Sequence, residues 1–333
     1  MPSAALIGGV LAASLAASIP PAGNPAMQTA RDKILVIRHG AFGDIVQADG
    51  ALRDIRAHHP DAEIVLLTTP PFRKLLARCP HVDRLLLDER APWIKLGKFF
   101  ALRRALRQEG FSRVYDLQSS NRTKAYRRFL LPGIPWSDNR EFNGRPVREC
   151  YRLQLEREGV KAIHAMHPDV SWMADDMSAF LAAEGVRPGY IALIPGCAAK
   201  HPQKRWPYYA ELAQLLIDRG YQVVTAPGPD ELELAKSIPG QTLLGPNGFL
   251  GWFELAGVLK GAAFVIGNDT GPSHVAACLQ RPGLVLFGSH TSAERTGILR
   301  PEFRAIEVGD LKDLPVQQVL EAVLPRLPVV SAG

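Results

Sequence analysis

The sequence predicts an α/β protein built from two doubly wound parallel sheets, and three observations support this fold class. Short β-branched runs alternate with longer helical patterns along the chain. The strand-like runs are almost continuously apolar, as expected for parallel strands that are covered on both faces. The series of strands and helices also restarts midway, and 333 residues suffice for two domains of ordinary size.

Seven segments are predicted as strands, and each is a short apolar run. They are Lys33–Ile37, Glu63–Thr68, Arg113–Leu117, Tyr190–Ile194, Tyr221–Thr225, Ala263–Ile266 and Gly283–Phe287. Helical patterns lie between them or follow them, and they include Gly50–His58, Lys98–Glu109, Ala174–Glu184, Tyr208–Arg219 and Phe253–Leu259. Such an alternation of strand and helix is typical of βαβ units.

A domain boundary is predicted near residue 186. The first series of elements ends near Leu131 and is followed by an irregular stretch rich in Pro, Gly and Asn, Pro132–Pro146. A connecting helix then leads to Arg187-Pro188-Gly189 and a fresh strand. We therefore expect an N-terminal half over residues 31–185 and a C-terminal half over residues 186–333. Ligands of such sheets bind beyond the carboxyl ends of the strands, so the loops after strands are the candidate sites.

The chain start and the cysteines bear on compartment. Residues 1–30 carry no charge, and the basic segment that precedes the apolar run of a secretory signal is missing. We expect this leader to be disordered or, since Met27 stands just before the first strand, to reflect a start codon assigned too early. The four cysteines are far apart, which argues against a zinc ribbon or a disulfide framework and favours reduced thiols in the cytoplasm. No run of about 20 apolar residues predicts a membrane span.

The loop after the first strand, His39–Asp44, precedes a helix. Its glycines allow a sharp turn with room for a ligand, and Asp44 is placed at the helix start, facing the crevice. The alternative is a tight turn in which Asp44 is an ordinary N-cap. A dinucleotide site is disfavoured because the G-x-G-x-x-G pattern is incomplete and no acid follows the second strand to hold a ribose.

A second loop, Gly267–His274, follows a strand and opens a helix. Free backbone N–H groups there, with the hydroxyls of Thr270 and Ser273, suit a phosphate. Asp269 would repel a phosphate, so we expect it to accept backbone N–H groups and fix the shape of the loop. The alternative is a plain helix start whose His274 is satisfied internally.

Two further loops lie in the C-terminal half. One carries Gly196 and then three cations, among them Lys204, which suit a diphosphate leaving group; a solvated basic loop is the alternative. The other ends in Asp230-Glu231, where a carboxylate can accept both ribose hydroxyls or merely begin a helix. The pair His164-x-x-His167 lacks the partners of a zinc site, and no Walker A loop or G-x-S-x-G elbow is present.

The net charge of +6 is concentrated in one segment. Residues 90–128 hold eleven basic and two acidic residues, a net charge of +9, with aromatic residues such as Trp93 and Phe100 between them. Such a segment suits an anionic partner, although some of these residues form an ordinary solvated face. Arg122 and Lys124 are the candidate contacts with that partner. No nucleic-acid-binding motif accompanies the charge, so nucleic acid is not expected.

Taken together and in order, these motifs resemble the ADP-heptose:lipopolysaccharide heptosyltransferases, glycosyltransferase family 9, which have the GT-B fold. The resemblance covers about residues 33–300 and rests on Ile34–Arg38 with Gly43-Asp44, Pro60–Ile64, Asp116-Leu117-Gln118, Pro195-Gly196, Lys204–Pro207 and Gly267–His274. It implies two Rossmann-like domains facing a cleft and an inverting transfer of a heptose from a nucleotide-diphosphate sugar to a lipopolysaccharide inner-core sugar. It implies no metal or other cofactor, and a cytoplasmic enzyme peripheral at the inner face of the inner membrane.

The resemblance also implies roles for single residues. Asp44 matches the proposed general base, and Lys204 matches the lysine near the diphosphate. The donor-binding residues it implies are Gly196, Glu231 (or Asp230, if the alignment slips by one), Asp269, Thr270, Gly271, Ser273 and His274, and Gly43 falls on the acceptor side. Because the resemblance places the acceptor on the N-terminal half, the basic segment of residues 90–128 favours an anionic glycolipid at an anionic membrane surface, with Arg122 and Lys124 as the candidate acceptor contacts. Phe249–Trp252 departs from the family's usual hydroxyl-Leu pattern at that helix start, which leaves the adenine-side contacts open.

Two other functions remain open on the sequence. One is a GT-B enzyme that transfers or epimerises a different nucleotide sugar. The other is a non-catalytic GT-B descendant that only binds or scaffolds, although such a protein has no need for Asp44, Lys204 and the Asp269–His274 loop together.

Overall fold

The computed structural model describes residues 31–92 and 94–329. The predictions for residues 1–30 and for Trp93 therefore lie outside the described residues. The described chain forms two parallel sheets, which confirms the predicted fold class. The first sheet ends at Asp138 and the second begins at Ile191, so the boundary predicted near residue 186 falls between them.

The first sheet has five strands in the order β3-β2-β1-β4-β5. The strands are β1 (Lys33–Ile37), β2 (Glu63–Thr68), β3 (Arg84–Leu87), β4 (Arg113–Asp116) and β5 (Trp136–Asp138). Its helices are α1 (Phe42–Gln47), α2 (Asp49–His58), α3 (Arg73–Leu76), α4 (Leu96–Gln108) and α5 (Asn121–Ala125), and the segment that leads to the second sheet holds α6 (Val147–Arg157) and α7 (Ser178–Ala183).

The second sheet has six strands in the order β11-β10-β9-β6-β7-β8. The strands are β6 (Ile191–Ile194), β7 (Val223–Thr225), β8 (Gln241–Thr242), β9 (Phe264–Asn268), β10 (Gly283–Phe287) and β11 (Phe303–Glu307). The helices are α8 (Tyr209–Ile217), α9 (Leu232–Lys236), α10 (Trp252–Gly261), α11 (Gly271–Cys278), α12 (Ala293–Thr296) and α13 (Val316–Val323).

All seven predicted strands are present, with shifts of one or two residues at some ends. The sequence prediction missed β3, β5, β8 and β11, and these four are the edge strands of the two sheets. Residues of β3, β8 and β11 are less completely buried than those of the central strands, and β8 and β11 lack the continuous apolar run that marks a central strand. β3 does contain such a run, Leu85–Leu87, which the prediction overlooked. The predicted helix Ala174–Glu184 is shorter than expected, since α7 begins only at Ser178.

Successive side chains of the central strands point to opposite faces of the sheet, and both faces are buried. In β1, Ile34 and Val36 join one apolar cluster, whereas Leu35 and Ile37 join another on the opposite face. This is the two-residue period of a strand with helices on both sides. In both sheets the strand order reverses beside the first strand, between β1 and β4 and between β6 and β9, and ligands of such folds bind at these points.

Two buried carboxylates on α2 fix the segment between the sheets. Asp54 accepts the backbone N–H groups of His164 and Ala165 at 2.8–3.0 Å, and Asp49 accepts the indole N–H of Trp172 at 2.8 Å. Burial raises the pKa of Asp49 to about 6, against the hydrogen bonds that lower it. These hydrogen bonds from buried carboxylates hold the connecting segment against the first half.

The four cysteines are buried and unpaired in the described structure. No helix among the described residues is long and apolar enough to cross a membrane.

Two helical glycines give a matched test of this packing. Gly50 in α2 has no room for a Cβ, which would collide with the carbonyl oxygen of His164, whereas a Cβ on Gly97 in α4 meets nothing within 4 Å. We expect Gly50→Ala to lower the free energy of unfolding by about 1–3 kcal/mol and Gly97→Ala to raise it by up to about 1 kcal/mol. Urea denaturation measures both changes, and equal effects of the two variants would contradict the packing described here.

Candidate active site

The loops at the two switch points carry most of the residues predicted from sequence. Asp44 follows β1, Lys204 follows β6, and Asp269 and His274 follow β9. Because carboxyl ends of parallel strands meet at one edge of a sheet, these loops form the walls of a crevice.

Asp44 is the third residue of α1 and is oriented by two contacts. Its Oδ2 accepts the backbone N–H of Ala41 at 3.1 Å and lies 2.7 Å from Nη2 of Arg38. Ala41 is the N-cap, so the alternative in which Asp44 is the N-cap is wrong, although its carboxylate accepts the N–H of the N-cap from the third position of the helix. Among residues 31–92 and 94–329 we find no hydrogen bond to Oδ1, and the side chain is 43% exposed. The carboxylate is therefore fixed through one oxygen and open at the other.

Arg38 is part of a sequence motif but was given no role there. In the structure it connects Asp44 with the loop after β4. Its side chain is only 6% exposed, and its Nη1 donates to the carbonyl of Leu117, directly after β4, at 2.7 Å. The guanidinium thus links the loops after β1 and β4, the two strands at the switch point. Arginine suits this role because its planar fork of donors is rigid.

Asp269 is buried and surrounded by cationic or N–H-bearing groups. Its Oδ2 lies 2.6 Å from Nζ of Lys204 and 3.2 Å from Nε2 of His290, and its Oδ1 lies 3.4 Å from Nε2 of His274. The expectation that Asp269 accepts backbone N–H groups is wrong, since its recorded partners among the described residues are these three side chains. They neutralise a carboxylate that would otherwise repel a phosphate.

The charge balance at Asp269 follows from these contacts. Burial alone would raise the pKa of this carboxyl, but hydrogen bonds from His274 and Lys204 and the charge of Lys204 outweigh burial and hold the pKa well below its usual range. Asp269 is therefore ionised, and it keeps the ammonium of Lys204 in place. Lys204 has three N–H donors, and its contacts with Oδ2 and the carbonyl of Asp269 leave one for a ligand.

Helix α11 begins at Gly271, with Thr270 as an N-cap whose side chain makes no capping hydrogen bond. The Thr270 hydroxyl is buried and has no partner among the described residues. Ser273 differs from the prediction, because its hydroxyl is fully buried and donates to the carbonyl of Asn268 at 2.6 Å. Its hydroxyl therefore shapes the loop instead of facing a phosphate.

Asn268, the last residue of β9, ties the loop after β6 to the start of α11. Its amide donates to the carbonyls of Pro195 and Gly196 at 2.8 and 3.2 Å, and its Oδ1 accepts the backbone N–H of Trp206 at 3.2 Å. This buried side chain fixes the loop that carries Lys204 relative to Asp269, because each of its hydrogen bonds has no solvent alternative.

Helices α1 and α11 pack closely through two glycines. A Cβ on Gly43 would lie 2.8 Å from the ring of His274, and one on Gly271 would collide with the ring of Phe42. Phe42 also meets Trp252 at the start of α10, with ring centroids 4.1 Å apart. The two halves of the chain are therefore in direct contact beside Asp44.

One cavity of about 510 Å³ brings the two sets of residues together. From the N-terminal half it is lined by Gly43, Asp44 and Gln47, and from the C-terminal half by the residues around Asp269 and His274. Further basic side chains line the same cavity, namely Lys200, Lys204 and Arg295. The cavity thus has an open carboxylate on one side and cations on the other.

A second cavity of about 620 Å³ adjoins the first, and both are lined by Phe42, Thr270 and Gly271. It contains Glu231, whose Oε2 accepts the backbone N–H of Gly228 at 3.0 Å. Gly196 lies directly against this carboxylate and leaves no space for a Cβ. Asp230 is exposed and lines neither cavity. The volume of this second cavity suits a nucleotide.

Arg122 and Lys124 lie outside both cavities. Arg122 is paired with Asp88 at 3.3 Å, donates to the carbonyl of Ala91 at 3.0 Å, and lines a separate pocket of about 300 Å³ beside α4. Lys124 is exposed. Their role as acceptor contacts stays a prediction.

Sequence reasoning missed three residues of the site, Arg38, Gln47 and His290. Arg38 and His290 follow the ends of β1 and β10, so the rule that ligands bind beyond strand ends could have found both. Gln47 lies three residues after Asp44 on the same helix, and helical spacing places both on one face. No group of three or more His, Cys, Asp and Glu side chains placed to hold a metal ion is found in residues 31–92 and 94–329.

Comparison with known proteins identifies the family of the chain. The family model "Glycosyltransferase family 9 (heptosyltransferase)" matches residues 154–322. Lipopolysaccharide heptosyltransferase 2 of Escherichia coli strain K12 is 28% identical over 309 residues, which cover 77% of this chain and 82% of that protein. Lipopolysaccharide heptosyltransferase 1 of the same strain is 25% identical over 280 residues, which cover 77% of this chain and 88% of that protein.

Solved structures show the same architecture. The E. coli ADP-heptose LPS heptosyltransferase II aligns with a TM-score of 0.65 at 25% identity, over 87% of this chain and 97% of that chain. The family 9 glycosyltransferase of Veillonella parvula, at 19% identity and a TM-score of 0.68, shows the fold alone. The expected GT-B architecture is therefore confirmed. With a family match over half of its length and this fold, the chain is a glycosyltransferase and belongs to glycosyltransferase family 9, the heptosyltransferase family.

Proposed function

We propose that the protein is an inverting glycosyltransferase that moves a heptose from ADP-heptose to an inner-core acceptor sugar of lipopolysaccharide. One observation carries this proposal: a single cavity is lined by Asp44 from the N-terminal half and by Lys204, Asp269 and His274 from the C-terminal half. A base and a set of cations on opposite walls fit the two ends of a displacement at an anomeric carbon. The similarity to lipopolysaccharide heptosyltransferases supports the sugar class.

The donor occupies the C-terminal half, residues 186–333, in this proposal. The nucleoside enters the larger cavity, where Glu231 accepts hydrogen bonds from the ribose hydroxyls. The diphosphate then lies at the start of α11, where Thr270 has an unpartnered hydroxyl and the first-turn N–H groups favour an anion. Lys204, Lys200 and Arg295 surround the same position and balance the diphosphate charge.

The acceptor occupies the N-terminal half, residues 31–185. Oδ1 of Asp44 takes the proton from the acceptor hydroxyl while that oxygen forms its bond to the anomeric carbon. The bond between the anomeric carbon and the diphosphate oxygen breaks, and its electron pair leaves on ADP. Attack on the face opposite the leaving group inverts the configuration. Arg38 keeps the carboxylate of Asp44 oriented during this step.

The leaving group is stabilised by protein cations in this mechanism, so no metal ion or other cofactor takes part. The remaining N–H donor of Lys204 and the N–H groups of α11 act on charge that develops on the diphosphate oxygen. These donors are already oriented by Asp269 and by the helix, so they need little rearrangement as the charge appears.

We further propose that the N-terminal half docks on an anionic membrane surface at the inner face of the inner membrane. Ile94, Leu96, Phe100 and Phe129 are each more than half exposed, and we name them with the neighbouring Lys95, Arg103, Arg104, Arg107 and Arg128 the α4 surface. Arg103 donates to the carbonyl of Phe129 at 3.1 Å, so the part of the α4 surface on helix α4 and the part at Arg128 and Phe129 are in contact. Apolar side chains ringed by cations suit the boundary between lipid headgroups and acyl chains.

Asp44→Asn tests the base. The amide keeps the size of the side chain but cannot take a proton, so kcat for heptose transfer should fall by about 100- to 10,000-fold while ADP affinity stays unchanged. Asp313→Asn, an exposed acid that lines neither cavity, is the matched control. Transfer at the wild-type rate by Asp44→Asn would remove Asp44 from this role.

Nucleotide preference tests the donor. We expect calorimetry to show tighter binding of ADP than of UDP or GDP, and Lys204→Ala to weaken ADP binding by about 10- to 100-fold, because it removes a charge-assisted hydrogen bond and leaves Asp269 less neutralised. Lys260→Ala, an exposed lysine outside both cavities, is the control. A preference for UDP or GDP would support the alternative GT-B enzyme, and failure to transfer or hydrolyse any donor would support a non-catalytic protein.

Vesicle co-sedimentation tests the α4 surface. Binding to phosphatidylglycerol vesicles should exceed binding to phosphatidylcholine vesicles and should weaken with salt. Arg104→Glu with Arg128→Glu should reduce it about tenfold or more, whereas Lys260→Glu with Arg304→Glu makes the same charge change on the other half and should matter less. If the bound fraction is the same for anionic and neutral vesicles and does not change with salt concentration, the membrane proposal is wrong.

A further inference from the structure

Gln47, the last residue of α1, makes two hydrogen bonds to the C-terminal half. It is buried, and its Nε2 lies 2.8 Å from the carbonyl oxygen of Thr296 and 3.1 Å from Nδ1 of His274. The carbonyl of Thr296 can only accept, so the atom facing it is the amide nitrogen. Both N–H groups of the amide are therefore used, one on each partner.

These bonds determine which nitrogen of His274 carries the proton. Nδ1 faces an N–H donor, so it accepts and is unprotonated. In the neutral ring the proton is then on Nε2, which points at Oδ1 of Asp269 at 3.4 Å. The imidazole thus presents an N–H group to the buried carboxylate.

We infer that Gln47 is a positioning residue, which holds His274 in the Nε2-protonated form and thereby holds Asp269 and Lys204 in place. In the other tautomer the lone pair of Nε2 would face Oδ1, and two acceptors 3.4 Å apart repel each other. Asp269 would then turn, and its Oδ2 would lose the fixed contact with Lys204. This inference rests on the proposed function, in which Lys204 acts on the diphosphate.

Gln47 lies in the N-terminal half, opposite His274, because the helix that carries it also carries the proposed base. Gln47 and Asp44 are three residues apart on one short helix, so they move together. Gly43 brings that helix close enough to α11 for the hydrogen bond to form. The proposed base and the residue that orients the leaving-group side therefore take their places in the same step, when α1 lies against α11.

Two substitutions of Gln47 distinguish an effect on the tautomer of His274 from an effect on packing alone. Gln47→Glu has nearly the same shape but can only accept at neutral pH, so it forces a proton onto Nδ1 of His274. Gln47→Leu removes the donor and leaves both tautomers accessible. The readout is the ¹⁵N spectrum of the histidine rings in the full chain, with the His274 signals assigned by their loss in His274→Asn.

We expect wild-type His274 to show an unprotonated Nδ1 and a protonated Nε2. Gln47→Glu should show a protonated Nδ1, and Gln47→Leu a mixture of tautomers. Gln47→Leu should lower kcat/KM for the donor by about two- to tenfold, because a mixture still contains the competent tautomer, and Gln47→Glu should lower it by about 10- to 100-fold. Gln154→Leu is the matched control, because Gln154 is another fully buried glutamine with a hydrogen bond to a carbonyl, and it should change only the stability.

A protonated Nδ1 in the wild type, or an unchanged His274 spectrum in Gln47→Leu, would overturn the inference. If a variant fails to fold, the wild-type spectrum still decides the tautomer. If no donor is turned over by any form of the protein, the proposed function fails, whereas the spectra continue to report on Gln47 alone.

Discussion

The close packing of α1 on α11 is the contact on which the site depends, and two glycines make it possible. Gly43 leaves space for the ring of His274, and Gly271 leaves space for the ring of Phe42. A side chain at either position would push the helices apart, and the hydrogen bond from Gln47 to His274 would not form. Residues of the two halves can therefore line one cavity, because α1 and α11 approach each other at glycines that have no side chain to keep them apart.

The second constraint is electrostatic. Asp269 brings a negative charge into a place that should attract an anion, and its ionised form is stable only because Lys204, His274 and His290 surround it. These partners come from the loop after β6, from α11 and from the loop after β10. The carboxylate thus acts as the centre that holds three separate elements in a fixed arrangement, while Lys204 faces the cavity.

The sequence predicted the fold and the location of the site better than it predicted the contacts. Central strands such as β1 and β9 were recognisable because burial on both faces demands an apolar run, whereas edge strands such as β8 and β11 need none. Asp44 and Lys204 were found because they follow strands at the switch points. The partners of Asp269 were not found, since Lys204 and His290 are distant in sequence and only the folded chain brings them to one carboxylate.

The position of Phe42 links the two cavities. Its ring meets Trp252 with centroids 4.1 Å apart, lies against Gly271 and lines both cavities. Phe42 therefore forms part of the boundary between the two cavities, and Asp44 lies two residues further along the same helix. A change in the spacing of α1 and α11 would alter both cavities and the position of Asp44 together.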